Sequence, residues 1–104
     1  MDIKKLLLFA DVAETENFTK TGDRMGYTQS GVSHLLKSLE DEMGFPLFIR
    51  SKQGVKLTKN AQMILPGVRS MLAMNERLEQ TINDINGLEK GQLVIATFSS
   101  ISIH

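Results

Sequence analysis

Apolar residues recur at helical spacing from the start of the chain. The first such segment predicts an amphipathic helix from Ile3 to Thr15, where no residue breaks the pattern. Asn17 then offers a side-chain oxygen to the free amides of a second, short helix from Phe18 to Met25, and Gly26 ends it. The chain is therefore predicted to begin with two helices joined by a tight connection.

A third helix is predicted from Gln29 to about Met43, with Thr28 as its N-terminal cap and Gly44 as the left-handed residue that stops it. Its buried stripe is predicted to contain Val32, Leu35 or Leu36, Leu39 and Met43. The side chains that remain on the outward side are small and form hydrogen bonds, as a helix needs to enter the major groove of DNA. These are Gln29, Ser30, Ser33, His34 and Lys37.

Alternating polarity after Pro46 predicts a two-stranded hairpin, with strands at Leu47 to Ser51 and Val55 to Thr58. The turn is predicted at Lys52-Gln53-Gly54, with the glycine inside it. Two short strands are marginal alone, so the hairpin is expected to pack on the helices. A basic hairpin directly after a helix-turn-helix indicates a mainly α, winged helix-turn-helix fold with three helices and a two-stranded β wing.

The longest regular segment, from Lys59 to about Asn86, has apolar positions that alternate in steps of three and four, which is the spacing of a coiled-coil seam. At 1.5 Å per residue this helix spans roughly 40 Å, so most of the seam is expected to lie beyond the small domain. We expect it to pair with a second copy, with Asn75 fixing the register. Packing against a further domain of the same chain is the alternative. The seam contains Ala61, Ile64, Val68, Met71, Asn75, Leu78, Ile82 and Ile85.

Two features modify this helix. Pro66 removes the hydrogen bond to the carbonyl of Gln62, which predicts a bend there but not a break. Gly87 and Gly91 are predicted to end the helix, and the alternation in Gln92 to Thr97 predicts a strand. The predicted domains are residues 1–58 as the winged helix-turn-helix, 59–87 as the linker and dimerisation helix, and 88–104 as a hinge and the start of a truncated effector-binding domain.

The charges are unevenly distributed along a chain whose formal net charge is zero. Between Asn17 and Lys59 there are seven Lys or Arg residues and four Asp or Glu residues. Three of those acidic residues are consecutive, so the basic ones are predicted to be free to form a basic face for nucleic acid. They are Lys20, Arg24, Lys37, Arg50, Lys52, Lys56 and Lys59.

Several other functions are disfavoured. The chain has no cysteine and two histidines, His34 and His104, so no metal site and no cofactor is expected. Ser33 and His34 are adjacent on a helix and point about 100 degrees apart, so they cannot form a catalytic pair. No apolar stretch approaches the roughly 18 residues that span a bilayer, and a cytoplasmic protein is expected.

A set of residues at fixed spacing resembles the N-terminal part of the LysR-type transcriptional regulators. The resemblance implies a winged helix-turn-helix, a linker helix that pairs antiparallel with that of a second subunit, and binding to partly palindromic promoter sites. It also implies a C-terminal domain that binds a small-molecule effector, and allows tetramers of the full-length protein. The residues that carry it are Phe9, Ala13, Phe18-Thr19, Gln29, Ser33, Leu39-Glu40, Gly44, Leu47-Phe48, Arg50 and Leu57-Thr58.

The chain departs from that family at four places. Thr21-Gly22 stands where paired alanines are usual and Asn60-Ala61 where Ala-Gly is usual, which is expected to loosen helix packing. In the wing, Gln53 replaces a common arginine. His34 also stands where arginine is frequent, and would bond guanine more weakly.

The outward face of the third helix and the resemblance together predict a DNA-binding regulator that is not an enzyme. Gln29 is predicted to read adenine through its amide, while Lys37 and Arg50 hold phosphates. For Arg50, a structural ion pair with Glu40 is the alternative. The rival function is an interaction and dimerisation module of the same fold that no longer binds DNA. The predicted DNA-binding residues are Thr28, Gln29, Ser30, Ser33, His34, Lys37, Arg50, Lys52 and Gln53.

Overall fold

The computed structural model describes the backbone of residues 1–95 and the side chains of residues 1–88. Its first three helices are α1 (Ile3–Thr15), α2 (Phe18–Met25) and α3 (Gln29–Met43), with the bounds that the sequence predicts. The side chains of Asn17 and Thr28 accept hydrogen bonds from the first-turn amides of α2 and α3, which confirms both as N-terminal caps.

The wing consists of two antiparallel strands, β1 (Phe48–Ser51) and β2 (Gly54–Leu57). The predicted position of the glycine was wrong: Gly54 pairs with Ser51 in the ladder, and the turn itself is Lys52-Gln53. Gly54 has φ 122°, and a Cβ there would lie 2.9 Å from the carbonyl oxygen of Glu16. Glycine is required because β2 passes close to the end of α1 in a conformation that other residues rarely adopt.

A single apolar core joins the three helices, the wing and the start of the last helix. In α1, Leu8 and Val12 are fully buried together with Phe9, so this helix is covered over a wide face. Phe48 of the wing contacts Phe9 and Phe18 edge to face, with ring centroids 5.6 and 6.0 Å apart. These contacts hold the hairpin against the helices.

The predicted loosening at Thr21-Gly22 is not observed. Thr21 is fully buried, and its hydroxyl lies 3.0 Å from that of Thr15. Gly22 lies directly against the backbone of the turn that follows α2, where a Cβ would collide with the carbonyl oxygen of Tyr27. The chain therefore packs closely at this departure from the family pattern.

The last helix, α4, runs from Lys59 to Ile95 and continues through Pro66. The predicted end of this helix near residue 87 was wrong, because the helix continues to Ile95. The predicted strand at Gln92 to Thr97 was wrong for residues 92–95, which are helical, and residues 96–104 lie outside the described residues. Isolated glycines at positions 87 and 91 cost about 1 kcal/mol each relative to alanine, and the Leu, Glu, Lys and Gln around them are good helix formers. None of the described helices combines the length and the apolar composition that a membrane span requires.

The first part of α4 belongs to the N-terminal compact unit, Met1–Leu72, and a second unit begins at Ala73. Ala61 is 0% exposed and Val68 6% exposed, and both belong to the core of their own chain, with Ile64 packed against it. Ala61 and Val68 are thus covered by their own chain, and their predicted contact with a second copy stays a prediction. The first positions of the heptad pattern therefore belong to the chain's own apolar core.

The wing and α4 are joined by one residue, Thr58. Its amide donates to the carbonyl of Leu47 (2.9 Å) and its hydroxyl donates to the carbonyl of Pro46 (2.8 Å). The same hydroxyl accepts from the amide of Ala61 (3.1 Å) and caps the new helix. Thr58 thereby closes the hairpin and starts α4.

Candidate nucleic-acid interface

Seven of the nine predicted DNA-binding residues line one depression on the surface. It is formed by the N-terminal half of α3 and the side chain that β1 extends toward it. Lys52 and Gln53 lie instead at the exposed tip of the wing. The residues of the depression are Thr28, Gln29, Ser30, Ser33, His34, Lys37 and Arg50.

The α3 side of this depression is open to solvent. Gln29, Ser30, His34 and Lys37 are all exposed, whereas Val32, Leu36 and Leu39 on the opposite side of the helix are buried. The predicted separation of inward and outward faces is therefore correct. A carboxamide, hydroxyls and an imidazole can each form hydrogen bonds with base edges, and the free amides of the first turn add a positive helix end.

Arg50 is held from two sides. Its Nη2 donates to the hydroxyl of Ser33 at 2.6 Å, and its Cζ lies 4.9 Å from the centroid of the Phe18 ring. The alternative that Arg50 pairs with Glu40 was wrong, because the Glu40 carboxylate instead accepts from the backbone amides of Leu47 and Phe48. Sequence reasoning missed the roles of Phe18 and Glu40, since both contacts cross between elements and leave no local signal.

The basic face is smaller than the sequence predicts. Of the seven basic residues, three have carboxylate partners: Arg24 with Asp11, Lys56 with Glu16 and Lys37 with Asp41. The Lys37 pair is weak, because its 3.7 Å contact joins two side chains that are each about 70% exposed. Within residues 1–88, no carboxylate partner is found for Lys20, Arg50, Lys52 and Lys59.

Hydrogen-bonding side chains on an exposed helix, beside a wing that presents an arginine, define the reading surface of a winged helix-turn-helix protein. No group of three or more possible metal ligands occurs among the described residues. The residues that line the depression offer hydroxyl, carboxamide and imidazole groups for hydrogen bonds, and two positive charges from Lys37 and Arg50.

Known proteins similar to this chain are also helix-turn-helix proteins. Residues 3–62 match the family described as bacterial regulatory helix-turn-helix protein, lysR family. The chain belongs to the LysR family of bacterial transcription regulators, which are not enzymes.

Two relatives illustrate the extent of the match. The chain is 38% identical over 105 residues to the regulator YvbU of Bacillus subtilis, covering all of this chain and 36% of the relative. It is 35% identical over 104 residues to a regulator of Azotobacter vinelandii, covering all of this chain and 72% of that protein. The chain thus spans about a third of the first relative's length.

Among solved structures, the chain is similar to the BenM DNA-binding domain in complex with catB site 1 DNA. The TM-score is 0.77 at 25% identity, and the match covers 86% of this chain and 96% of that one. The winged helix-turn-helix fold predicted from the sequence, with its long last helix, is confirmed.

Proposed function

We propose that this chain binds a partly palindromic promoter site as a homodimer, with α3 in the major groove and the wing on flanking DNA. The observation that carries the proposal is an exposed depression in which α3 and Arg50 bring seven predicted contacts together. The DNA-bound state of the similar BenM domain supports it.

Within this proposal the residues have different tasks. Gln29 reads adenine, and Ser30 and His34 offer single hydrogen bonds to bases or phosphates. Lys37 and Arg50 contact phosphates, while Lys52 and Gln53 at the wing tip approach the flanking backbone. The hydroxyl oxygen of Thr28 accepts from the amide of Gly31 at 3.0 Å and lies 3.4 Å from the hydroxyl of Ser30, so part of its hydrogen-bonding capacity is already used within the chain.

Dimerisation is proposed through the part of α4 that lies beyond the N-terminal unit. Its apolar side chains are about half exposed, with Leu78 at 58% and Ile82 at 47%. An apolar stripe of this length on one helix is typical of a surface that pairs with a second helix. The side chains proposed for the interface beyond that unit are Asn75, Leu78, Ile82 and Ile85, and Ile64 and Met71, which lie within the unit, are proposed for its margin.

A small-molecule effector would act through a C-terminal domain of the kind that the resemblance implies. Two subunits paired by α4 would place their α3 helices in successive major grooves on one face of the DNA. The half-sites would then be separated by one helical turn, about 10 base pairs, or a multiple of it.

The deciding experiment is selection of bound duplexes from a random pool, followed by titration of the selected duplex at several salt concentrations. We expect an inverted repeat with the stated spacing, and an affinity that falls steeply with salt because phosphate contacts release counterions. The rival interaction module predicts no enriched sequence and a self-association that changes little with salt.

A further inference from the structure

The contacts around Arg50 point to a role for Phe18 and Ser33 that the DNA-binding assignment alone does not give them. We infer that these two side chains are positioning residues, which hold the Arg50 guanidinium ready for a DNA phosphate before DNA arrives. The inference rests on the proposed function and specifies how one of its contacts is built.

The first support is the geometry at the guanidinium. The ring of Phe18 lies beneath it, with Cζ 4.9 Å from the centroid, which is within the range of a cation–π contact. Ser33 Oγ accepts from Nη2 at 2.6 Å. These two contacts come from α2 and α3, so the arginine of β1 is fixed by both helices of the helix-turn-helix.

The second support is that the Phe18 ring beneath the guanidinium is itself held in place. Phe18 is only 7% exposed and contacts Phe48 edge to face, and Phe48 in turn contacts the fully buried Phe9. Three aromatic rings therefore connect the guanidinium to the centre of the core. Because the ring is held in place by its own contacts, the cation–π contact favours one position of the guanidinium.

The third support is that Arg50 keeps its charge available. Its side chain is exposed, and among residues 1–88 it has no carboxylate partner. An arginine has five N–H donors, and the bond to Ser33 uses one of them. The remaining donors can bind phosphate in the forked geometry that this group favours.

This assignment changes the task of Ser33. Its hydroxyl oxygen accepts from Arg50 of the wing and Ser33 is only half-exposed, whereas Gln29 and His34 on the same helix are exposed. Ser33 then contributes to DNA affinity through Arg50 and not by reading a base. Ordering a long side chain in advance reduces the entropy that binding must remove.

The test uses double-mutant cycles with a fluorescein-labelled duplex of the sequence selected from the random pool, titrated at several salt concentrations. Arg50→Ala should weaken binding and lower the salt slope by about one ionic contact. Phe18→Leu and Ser33→Ala should each weaken binding about two- to fivefold, as expected for loss of one exposed cation–π or hydrogen-bond contact, with the slope unchanged. In the Arg50→Ala background both substitutions should have no further effect.

Two controls separate positioning from general damage. Phe45→Leu removes a ring from the same apolar cluster and should leave the affinity unchanged, whereas Ser33→Thr keeps the hydroxyl and should retain binding. In the free protein, NMR should show the δ protons of Arg50 shifted upfield by the ring beneath them, and Phe18→Leu should abolish the shift.

The two proposals fail in different ways. If the wild-type chain does not bind the duplex at all, both the proposed function and this inference are overturned. If it binds, but Ser33→Ala costs as much without Arg50 as with it, then Ser33 contacts DNA directly and only the inference is wrong. Absence of the upfield shift in the folded wild-type protein would likewise overturn the inference alone.

Discussion

The carboxylate of Glu40, near the end of α3, accepts a hydrogen bond of 2.6 Å from the backbone amide of Leu47, at the entry to the wing. The same oxygen lies 3.4 Å from the amide of Phe48, the first residue of β1. The half-buried carboxylate of Glu40 therefore joins α3 to the hairpin. This contact sets where the wing begins relative to α3.

Replacing Glu40 by alanine should lower the free energy of unfolding by about 1–3 kcal/mol, because two amides lose a charged acceptor. Urea unfolding measures the loss, and hydrogen exchange should show faster opening at Leu47. Asp41→Ala is the matched control, since its ion pair with Lys37 is exposed and its removal should cost about 0.5 kcal/mol or less. Equal effects of the two substitutions would contradict the assigned role.

Gly22→Ala should destabilise the protein even though alanine is the better helix former. The added Cβ would meet the carbonyl oxygen of Tyr27, and backbone cannot move aside as a flexible side chain can. We expect a loss of about 1–3 kcal/mol by thermal unfolding, the cost of overpacking. Gly67→Ala is the control in α4, where no atom lies within 4 Å of the new Cβ and a gain of up to about 1 kcal/mol is expected.

These cases show which features the sequence could predict. The bounds of α1, α2 and α3 follow from local signals, because Asn17, Thr28 and Gly44 act on amides and carbonyls within a few residues of themselves. The two faces of α3 follow from periodicity. The ends and the faces of a helix both depend on residues within or next to that helix, so they can be predicted from the local sequence.

Contacts between different helices and strands could not be predicted from the sequence. Nothing near Arg50 in the sequence indicates that Ser33, 17 residues earlier, accepts its hydrogen bond. Likewise a heptad seam gives the spacing of apolar side chains but not the surface that covers them. That is why Val68 was predicted to face a partner and is instead buried in its own chain.

Leu78→Asp should convert the proposed dimer into a monomer, because a carboxylate would enter an apolar helix pair without a partner. Sedimentation velocity measures the change. Ala73→Asp adds the same charge to an exposed position that points away from the stripe, and should leave the dimer intact. A dimer that persists in Leu78→Asp would show that the pairing surface lies elsewhere.

Val68→Asp should behave differently from Leu78→Asp. Since Val68 is 6% exposed in its own core, the carboxylate should unfold the N-terminal unit and not merely separate subunits. Circular dichroism distinguishes the outcomes, because a folded monomer retains its helical signal. A folded, monomeric Val68→Asp variant would place this residue at the dimer interface after all.

Gln29→Ala and Lys37→Ala should affect DNA binding in different ways. Loss of a bidentate amide contact should cost about 1–3 kcal/mol at adenine in one position and relax the preference there. Loss of a phosphate contact should weaken all sequences alike and lower the salt slope by about one. Fluorescence anisotropy with the selected duplex and a one-base variant separates the two. If neither substitution changes binding, the reading surface is assigned to the wrong face.

Thr58 is the only residue between β2 and α4, and it forms a rigid connection between the wing and that helix. Because one residue closes the hairpin onto Leu47 and Pro46 and also caps the helix through Ala61, a rotation of α4 about its axis must turn the hairpin or break hydrogen bonds. The orientation of the helix is therefore coupled to the orientation of the wing. Under the proposed contact of the wing with flanking DNA, a rotation of α4 would therefore move the wing along the DNA backbone.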